Sequence, residues 1–219
     1  MKGIFISFEG PDGGGKTTQI TKTAAKLREM GRDVVVTREP GGTDLGESIR
    51  EILLDPGQKD VSDRAEVLLY AASRAQHVFQ VIGPAIKAGK VVLCDRFVDS
   101  SIAYQGFGRG LDLDFISSVN LQATEGTVPQ LTLLLDIPAE QGLVRAKGTG
   151  RPDRMEKEAI KFHREVRQGY LWLKEQHPHR FRLIDATNAP EQVFNKVWAE
   201  VAKVLGGFNH EVSSGGGAG

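Results

Sequence analysis

Residues 10–17 have the types and the spacing of a phosphate-binding loop. They read Gly-Pro-Asp-Gly-Gly-Gly-Lys-Thr, which fits G-x-x-x-x-G-K-[ST] between a predicted strand and a predicted helix. Glycines let the backbone curl its N–H groups around phosphate oxygens, and the start of the helix adds partial positive charge. Lys16 would reach the β- and γ-phosphates, and the Thr17 hydroxyl would bind Mg²⁺. The motif predicts a nucleoside triphosphate site and leaves the reaction open.

An acidic residue and an arginine follow the third predicted strand. They are Asp95 and Arg96. Ligand groups in an open parallel sheet lie beyond the carboxyl ends of the strands. Asp95 is therefore a candidate for holding Mg²⁺, directly or through water, and Arg96 is a candidate phosphate ligand. Asp136 holds the same position after the fourth strand and competes with Asp95, which is preferred because Arg96 and the polar residues 99–101 follow it.

Three further segments could bind a phosphoryl acceptor. Residues 38–42, Arg-Glu-Pro-Gly-Gly, follow another predicted strand. Tyr70 and Arg74 are four residues apart on a predicted helix, so they share a face on which a base could stack and be hydrogen-bonded. A basic segment with glycine hinges is typical of a lid, although a solvated charge cluster is the alternative. Its basic residues are Arg145, Lys147, Arg151 and Arg154.

Composition and motifs argue against several other classes of protein. The 28 basic and 28 acidic residues give no net charge, which argues against a nucleic-acid partner. One cysteine excludes an internal disulfide and a cysteine-based zinc site. No apolar run reaches the ~18 residues of a membrane span, and the first residues do not resemble a signal peptide, so a cytoplasmic protein is expected. The string nearest to a GTPase base motif, at 195–198, lacks the aspartate.

The elements that must position these residues alternate along the chain. Strands are predicted at 3–8, 33–37, 91–94, 131–135 and 181–184, and helices at about 16–30, 45–54, 63–87, 113–124, 139–147, 155–176 and 190–205. This alternation predicts a parallel sheet with helices on both faces. We expect one domain over 1–206, with a lid at about 145–154, and a flexible tail over 207–219.

Together these segments resemble the thymidylate kinases of bacteria over residues 4–205. The strings are FEGPDGGGKTTQ, TREPGGT, AEVLLYAASRAQH, CDRFVDSSIAYQGFGRG and RPDRME. The resemblance implies a three-layer α/β P-loop NTPase fold, with a five-stranded parallel sheet flanked by helices and a short lid. It also implies phosphorylation of dTMP to dTDP by ATP and Mg²⁺, for dTTP biosynthesis, in a homodimer with no nucleic-acid or membrane partner.

The resemblance also implies which residues form the site. The ATP site would comprise Gly10, Pro11, Asp12, Gly13, Gly14, Gly15, Lys16, Thr17, Thr18 and Arg145. The dTMP site would comprise Asp12, Glu39, Arg50, Tyr70, Arg74, Arg96, Ser100, Ser101, Tyr104 and Gln105. Lys16, Arg96 and Arg151 would be catalytic, and Thr17 and Asp95 would hold the metal.

Within the implied dTMP site, each group has an expected partner. Asp12 would lie near the sugar 3′-hydroxyl, Arg50 and Arg96 would hold the phosphate, and Tyr70 would stack on thymine. Arg74 would donate to thymine O4. Since arginine only donates and the cytosine amino group also donates, dCMP would face an unpaired donor. Glu39 would lie near the acceptor and the metal, Tyr104 would exclude a ribose 2′-hydroxyl, and the remaining residues would line the base and the deoxyribose.

One departure from the family bears on the transition state. Some members carry an arginine beside the loop aspartate, where this chain has Gly13. The transition-state cation is then expected from the lid, where Arg145, Lys147 and Arg151 are candidates and Arg151 is favoured, whereas Arg154 is expected at the lid base. Two alternative functions remain: a kinase of dUMP, UMP or AMP, and a nucleotide-controlled switch protein.

Overall fold

The computed structural model describes residues 3–58, 60–146 and 153–213. Their strands are β1 (Ile4–Glu9), β2 (Val34–Arg38), β3 (Val91–Asp95), β4 (Leu131–Asp136) and β5 (Phe181–Asp185). They form one parallel sheet in the order β2-β3-β1-β4-β5. All six residues of β1 are buried, as expected for a central strand covered on both faces.

The helices lie on both sides of this sheet. They are α1 (Lys16–Glu29), α2 (Asp44–Leu54), α3 (Asp63–His77), α4 (Gly83–Lys87), α5 (Val98–Ser101), α6 (Leu113–Thr124), α7 (Ala139–Ala146), α8 (Ile160–Gln176) and α9 (Pro190–Ser213). Two π-helical segments, Val78–Ile82 and Ile102–Gly108, follow α3 and α5. No helix in the described part of the chain is long and apolar enough to span a membrane.

Local sequence explains where several helices begin. The hydroxyl of Thr43 accepts from the Gly46 N–H at the start of α2, and Ser62 accepts from the Ala65 N–H at the start of α3. These side chains satisfy N–H groups that a first helical turn leaves without partners. Gly15, at φ 80°, precedes α1 without such a cap, so the first N–H groups of that helix remain available.

Three apolar clusters among the described residues fix the sheet between the helices. One joins β1 and β4 to α1 and α9, and includes Phe8, Leu27, Leu133 and Val197. Another joins α8 to the segment Ile102–Gly108 and to α6. The third joins β3 to the segment Val78–Ile82 and to α4. Burial of these faces leaves the carboxyl ends of the strands open, where the candidate site residues lie.

The predicted parallel sheet with helices on both faces is confirmed, and three predicted helix boundaries are wrong. The helix predicted over 63–87 is interrupted by Val78–Ile82. The helix predicted from 155 begins at Ile160, because residues before it form turns. The last helix, predicted to end at 205, continues to Ser213, since glycine disfavours a helix by only about 1 kcal/mol.

Parts of the lid and of the tail fall outside the described residues. These are 147–152, which include the lid candidates Lys147 and Arg151, and 214–219, the end of the predicted tail. Arg145 lies in α7 and Arg154 in the turns before α8.

Candidate active site

One cavity of about 550 Å³ joins the phosphate loop to the side chains predicted to bind the acceptor. The predicted residues that line it are Asp12, Gly13, Gly15, Lys16, Thr17, Thr18, Glu39, Arg50, Tyr70, Arg74, Asp95, Arg96, Ser100, Ser101, Tyr104, Gln105 and Arg145. Gly10, Pro11 and Gly14 are not among its lining residues. A Cβ at Gly10 would lie 2.3 Å from the Leu135 carbonyl oxygen, so this part of the loop packs against β4.

Lys16 folds back across its own loop. Its Nζ donates to the carbonyl oxygens of Gly10 and Pro11, at 3.1 Å each. Burial and the charge of Arg96 lower the pKa of Lys16 to about 8, although nearby carboxylates oppose the shift. A bound phosphate would supply the anionic partner that this buried cation needs. The loop therefore combines a buried cation with N–H groups at the start of α1 that no side chain caps.

Gly13 is confined by a close backbone approach. Its φ is 73°, and a Cβ there would lie 2.0 Å from the carbonyl oxygen of Gly142 in α7. A Cβ at Gly142 would in turn lie 2.3 Å from the carbonyl oxygen of Asp12. An arginine at position 13 would therefore require the loop or α7 to move.

Thr17 and Asp95 offer adjacent oxygen ligands for Mg²⁺. The Thr17 hydroxyl donates to Oδ2 of Asp95 at 3.0 Å. The competing candidate, Asp136, instead forms a bidentate ion pair with Arg167 in α8, at 2.7 and 2.8 Å. No group of three or more histidine, cysteine or acidic side chains suited to a metal occurs among the residues described. A hydroxyl and one carboxylate fit Mg²⁺, which commonly takes its other ligands from phosphates and water.

Arg96 lies at the centre of the acceptor end. Its φ of 71° is left-handed, a conformation that costs a non-glycine residue free energy and often marks functional sites. The guanidinium donates to Oδ1 of Asp12 at 2.5 Å and to the hydroxyl of Tyr104 at 3.0 Å. The Tyr104 hydroxyl donates to Oδ2 of Asp12 at 2.8 Å. Burial opposes ionisation of Asp12, but Arg96 and Lys16 outweigh it and lower the Asp12 pKa.

Arg74 is buried among protein acceptors. Its Nε donates to Glu39 at 2.7 Å, its Nη1 to Ser101 at 3.0 Å and to Asn120, and its Nη2 to the carbonyl oxygen of Phe97 at 3.2 Å. Of its five N–H groups, one on Nη2 has no partner among the described residues. Four donors hold the protein together, and the expected contact with thymine O4 stays a prediction that would use the fifth.

Glu39 and Ser101 are also engaged within the protein. Glu39 accepts from Arg74 and lies 3.0 Å from Nδ1 of His77, whose Nε2 lies 2.6 Å from the Thr37 hydroxyl. Ser101 accepts from Arg74. Both residues still line the cavity, so Glu39 positions Arg74 as well as facing the acceptor end.

The remaining predicted acceptor residues take up separate positions around the cavity. Tyr70 lies on α3, and burial raises the pKa of its hydroxyl. Nη1 of Arg50 donates to the Pro40 carbonyl oxygen at 3.0 Å. Arg96 donates to the Ser100 hydroxyl at 3.3 Å. Nε2 of Gln105 donates to Glu66 at 2.8 Å, and Gln105 also lines the cavity.

Sequence reasoning missed two buried carboxylates behind the cavity and several residues on its wall. Glu9 accepts from the Phe97 N–H at 2.7 Å and from Ser100 at 2.6 Å, and Glu66 accepts from Gln105. Glu66 precedes Tyr70 by four residues, so its place on the same helix face was a usable signal. The wall residues missed are Leu54, Ala146, Asp153, Met155 and Glu156, whereas Arg38 and Pro40 belong to the segment 38–42 that was predicted to bind the acceptor.

Comparison with known proteins decides the family. The model of the thymidylate kinase family matches residues 8–197. The chain belongs to the thymidylate kinase family. The thymidylate kinase of Pelotomaculum thermopropionicum is 54% identical over 209 residues, covering 95% of this chain and 97% of that protein. That of Deinococcus radiodurans is 48% identical, covering 92% and 98%.

A solved structure agrees with this assignment. The crystal structure of thymidylate kinase from Ehrlichia chaffeensis superposes with a TM-score of 0.76 at 33% identity, covering 94% of this chain and 100% of that one. The resemblance to the family and the expected P-loop fold are therefore confirmed. Thymidylate kinases are nucleoside monophosphate kinases, so this chain is a phosphotransferase.

Proposed function

We propose that the chain transfers the γ-phosphoryl group of ATP to dTMP, giving ADP and dTDP for dTTP biosynthesis. The observation that carries the proposal is that one continuous cavity runs from the phosphate loop to Tyr70 and Arg74. Both substrates of a phosphoryl transfer must meet in one space from which water is kept out. Family membership supports dTMP as the acceptor.

On the donor side, the phosphate loop would bind the ATP phosphates. The first N–H groups of α1 are uncapped, and Lys16 lies across the loop. Thr17 and Asp95 would hold Mg²⁺, which would neutralise charge on the phosphates when bound. Arg145, whose guanidinium donates to the carbonyl oxygens of Ala186 and Thr187, would contribute to the ATP site.

On the acceptor side, Arg96 and Arg50 would hold the dTMP phosphate. The second pKa of a phosphate monoester is about 6, so the attacking oxygen is already anionic near pH 7 and no general base is required. Catalysis would then consist of positioning and charge neutralisation by Lys16, Arg96 and a lid arginine. Asp12 orients Arg96 through their ion pair. We assign the lid role to Arg151, which lies outside the described residues.

A cytoplasmic homodimer remains part of the proposal. The sole cysteine, Cys94, is buried and unpaired, which suits a reducing compartment. Leu68 on α3 and Phe79 after it are 53% and 75% exposed, so both apolar side chains face outward in the single chain. Exposed apolar side chains of this kind support an interface with a second copy.

The first experiment is a coupled ADP-release assay with ATP and Mg²⁺ against dTMP, dUMP, UMP, dCMP and AMP. We expect turnover with dTMP well above turnover with the others. The matched control is Lys16→Ala, which should remain folded by circular dichroism and lose turnover. Preferred turnover of another monophosphate would overturn the dTMP assignment, and ATP hydrolysis without an acceptor would favour a switch protein.

A further inference from the structure

Glu66 on α3 is a buried carboxylate with donors on both oxygens. Oε1 accepts from Nε2 of Gln105 at 2.8 Å and from Nε of Arg109 at 3.4 Å. Oε2 accepts from Nη2 of Arg109 at 3.2 Å and lies 2.6 Å from Nη2 of Arg154. The side chain of Glu66 is 1% exposed, so it binds no solvent-facing ligand. Glu66 instead links the side chains of Arg109 and Arg154 to the side-chain amide of Gln105.

The charge on Glu66 is stabilised by these contacts. Burial opposes its ionisation, but the Gln105 amide and the charges of Arg109 and Arg154 outweigh burial and lower the Glu66 pKa. An ionised carboxylate accepts hydrogen bonds and donates none. Only the NH₂ group of the Gln105 amide can therefore face Glu66, which makes the orientation of that amide chemically unambiguous.

The orientation of Gln105 decides what the cavity offers to a ligand. Gln105 lines the cavity, and its Oε1 accepts from no group among the described residues. With NH₂ held by Glu66, the free carbonyl oxygen is the group left for the cavity. Ser101 and Arg74 line the same cavity, and Arg74 keeps one N–H without a partner among the described residues. The wall thus combines a donor and an acceptor.

We propose that Glu66 is a positioning residue that sets base specificity by fixing the Gln105 amide with its carbonyl oxygen toward the cavity. This inference rests on dTMP being the acceptor. Thymine has an N–H at position 3 beside the O4 acceptor, whereas cytosine has an unprotonated nitrogen at position 3 beside an amino donor. An acceptor from Gln105 together with a donor from Arg74 therefore fits thymine and mismatches cytosine.

The substitution Glu66→Gln tests the orientation directly. Arg109 and Arg154 only donate, so they would take the single carbonyl oxygen of the new amide. Its NH₂ group would then face Gln105. The Gln105 amide would rotate so that its oxygen accepts from this NH₂ group, and its own NH₂ group would face the cavity. We expect the ratio of kcat/KM for dTMP to that for dCMP to fall about tenfold or more, with the KM for ATP unchanged.

Glu158→Gln is the matched control. Glu158 binds Arg109 at 2.5 Å in the same ion-pair network but does not contact Gln105. This variant should keep the dTMP to dCMP ratio within about twofold of the parent value. Both substrates are assayed on one preparation of each variant, so loss of folded protein cancels from the ratio.

Gln105→Ala gives a second measurement if Glu66→Gln does not fold. It removes the amide and leaves the Glu66 ion pairs in place, so the ratio should again fall about tenfold or more. An unchanged ratio in Glu66→Gln or in Gln105→Ala, or an equal fall in Glu158→Gln, would overturn the inference alone. A parent enzyme that does not phosphorylate dTMP would overturn the proposed function and this inference with it.

Discussion

Arg74 is held by four hydrogen bonds to protein groups before any nucleotide enters the cavity, and it is 1% exposed. Its partner Glu39 is equally buried, so each charge depends on the other for compensation. The arrangement fixes the guanidinium and so lowers the entropy lost when a base binds. It also makes Arg74 part of the folded structure.

We expect Arg74→Ala to weaken folding as well as dTMP binding. Removing the guanidinium leaves the Glu39 carboxylate buried with His77 alone, which should lower the free energy of unfolding by about 3–5 kcal/mol. Urea unfolding measures this loss, and steady-state kinetics should show a larger rise in the KM for dTMP than for ATP. Arg164→Ala, which breaks an exposed pair with Glu140, is the control and should unfold at nearly the parent urea concentration. A parent-like midpoint for Arg74→Ala would contradict the structural role.

The residues of the phosphate loop could be predicted because they are contiguous in sequence and their spacing alone defines the motif. Glu9 could not be predicted in this way, since its partner Ser100 lies 91 residues later in the sequence. The spacing from Glu66 to Tyr70 places Glu66 on the same helix face but does not reveal its partner Gln105, 39 residues later. The sequence predicts Arg74 as a base ligand, but its hydrogen bonds to Glu39 and Asn120 depend on tertiary packing.

At the level of elements, the phosphate loop rests directly on α7. The backbones of the phosphate loop and of α7 approach so closely at Gly13 and Gly142 that neither position has room for a Cβ. α7 spans Ala139–Ala146, so its last residues fall within the segment 145–154 that the sequence predicts as a lid. The contact therefore joins the phosphate loop to the helix that leads into this predicted lid.

Gly142→Ala should impair ATP binding. The new Cβ would lie 2.3 Å from the Asp12 carbonyl oxygen, and relieving this overlap must displace the loop. Overpacking of this kind costs about 1–3 kcal/mol, so the dissociation constant for ATP should rise between about fivefold and a hundredfold. Isothermal titration calorimetry measures it. Gly206→Ala in α9 is the control, since a Cβ there meets no atom within 4 Å, and unchanged ATP affinity in both variants would contradict the expectation.

The five strands could be predicted because each is a short apolar run bounded by turn residues. The π-helical segments could not, because their widened hydrogen bonds have no comparable sequence signal. In Ile102–Gly108 the Arg109 N–H reaches back five residues to the Tyr104 carbonyl oxygen. This widened turn lies in the segment that brings Tyr104 and Gln105 to the cavity, so the site depends on a feature that periodicity does not reveal.

At the scale of the whole molecule, the ion pairs of Glu66 should make stability depend on pH. The folded-state pKa of Glu66 lies below its unfolded value of 4.5, so its contribution is fully present above that value and is lost as pH falls through the folded pKa. The difference in unfolding free energy between the parent and Glu66→Gln should be largest near pH 7 and should shrink below about pH 4.5. Urea unfolding at a series of pH values measures it. A difference that stays constant to the lowest pH would show that Glu66 acts by shape alone.

The strand order also has a consequence for synthesis of the chain on the ribosome. β1 begins at Ile4, yet its neighbours in the sheet are β3 and β4, which begin at Val91 and Leu131. This strand, buried along its whole length in the folded protein, therefore lacks its first partner until β3 has been translated and its second until β4 has been translated. Contacts so distant in sequence slow folding and leave unpaired strand edges exposed to aggregation. The strand that supports the phosphate loop is thus made before both of its partners, so we expect its edges to stay unpaired in the nascent chain until β3 and β4 have been made.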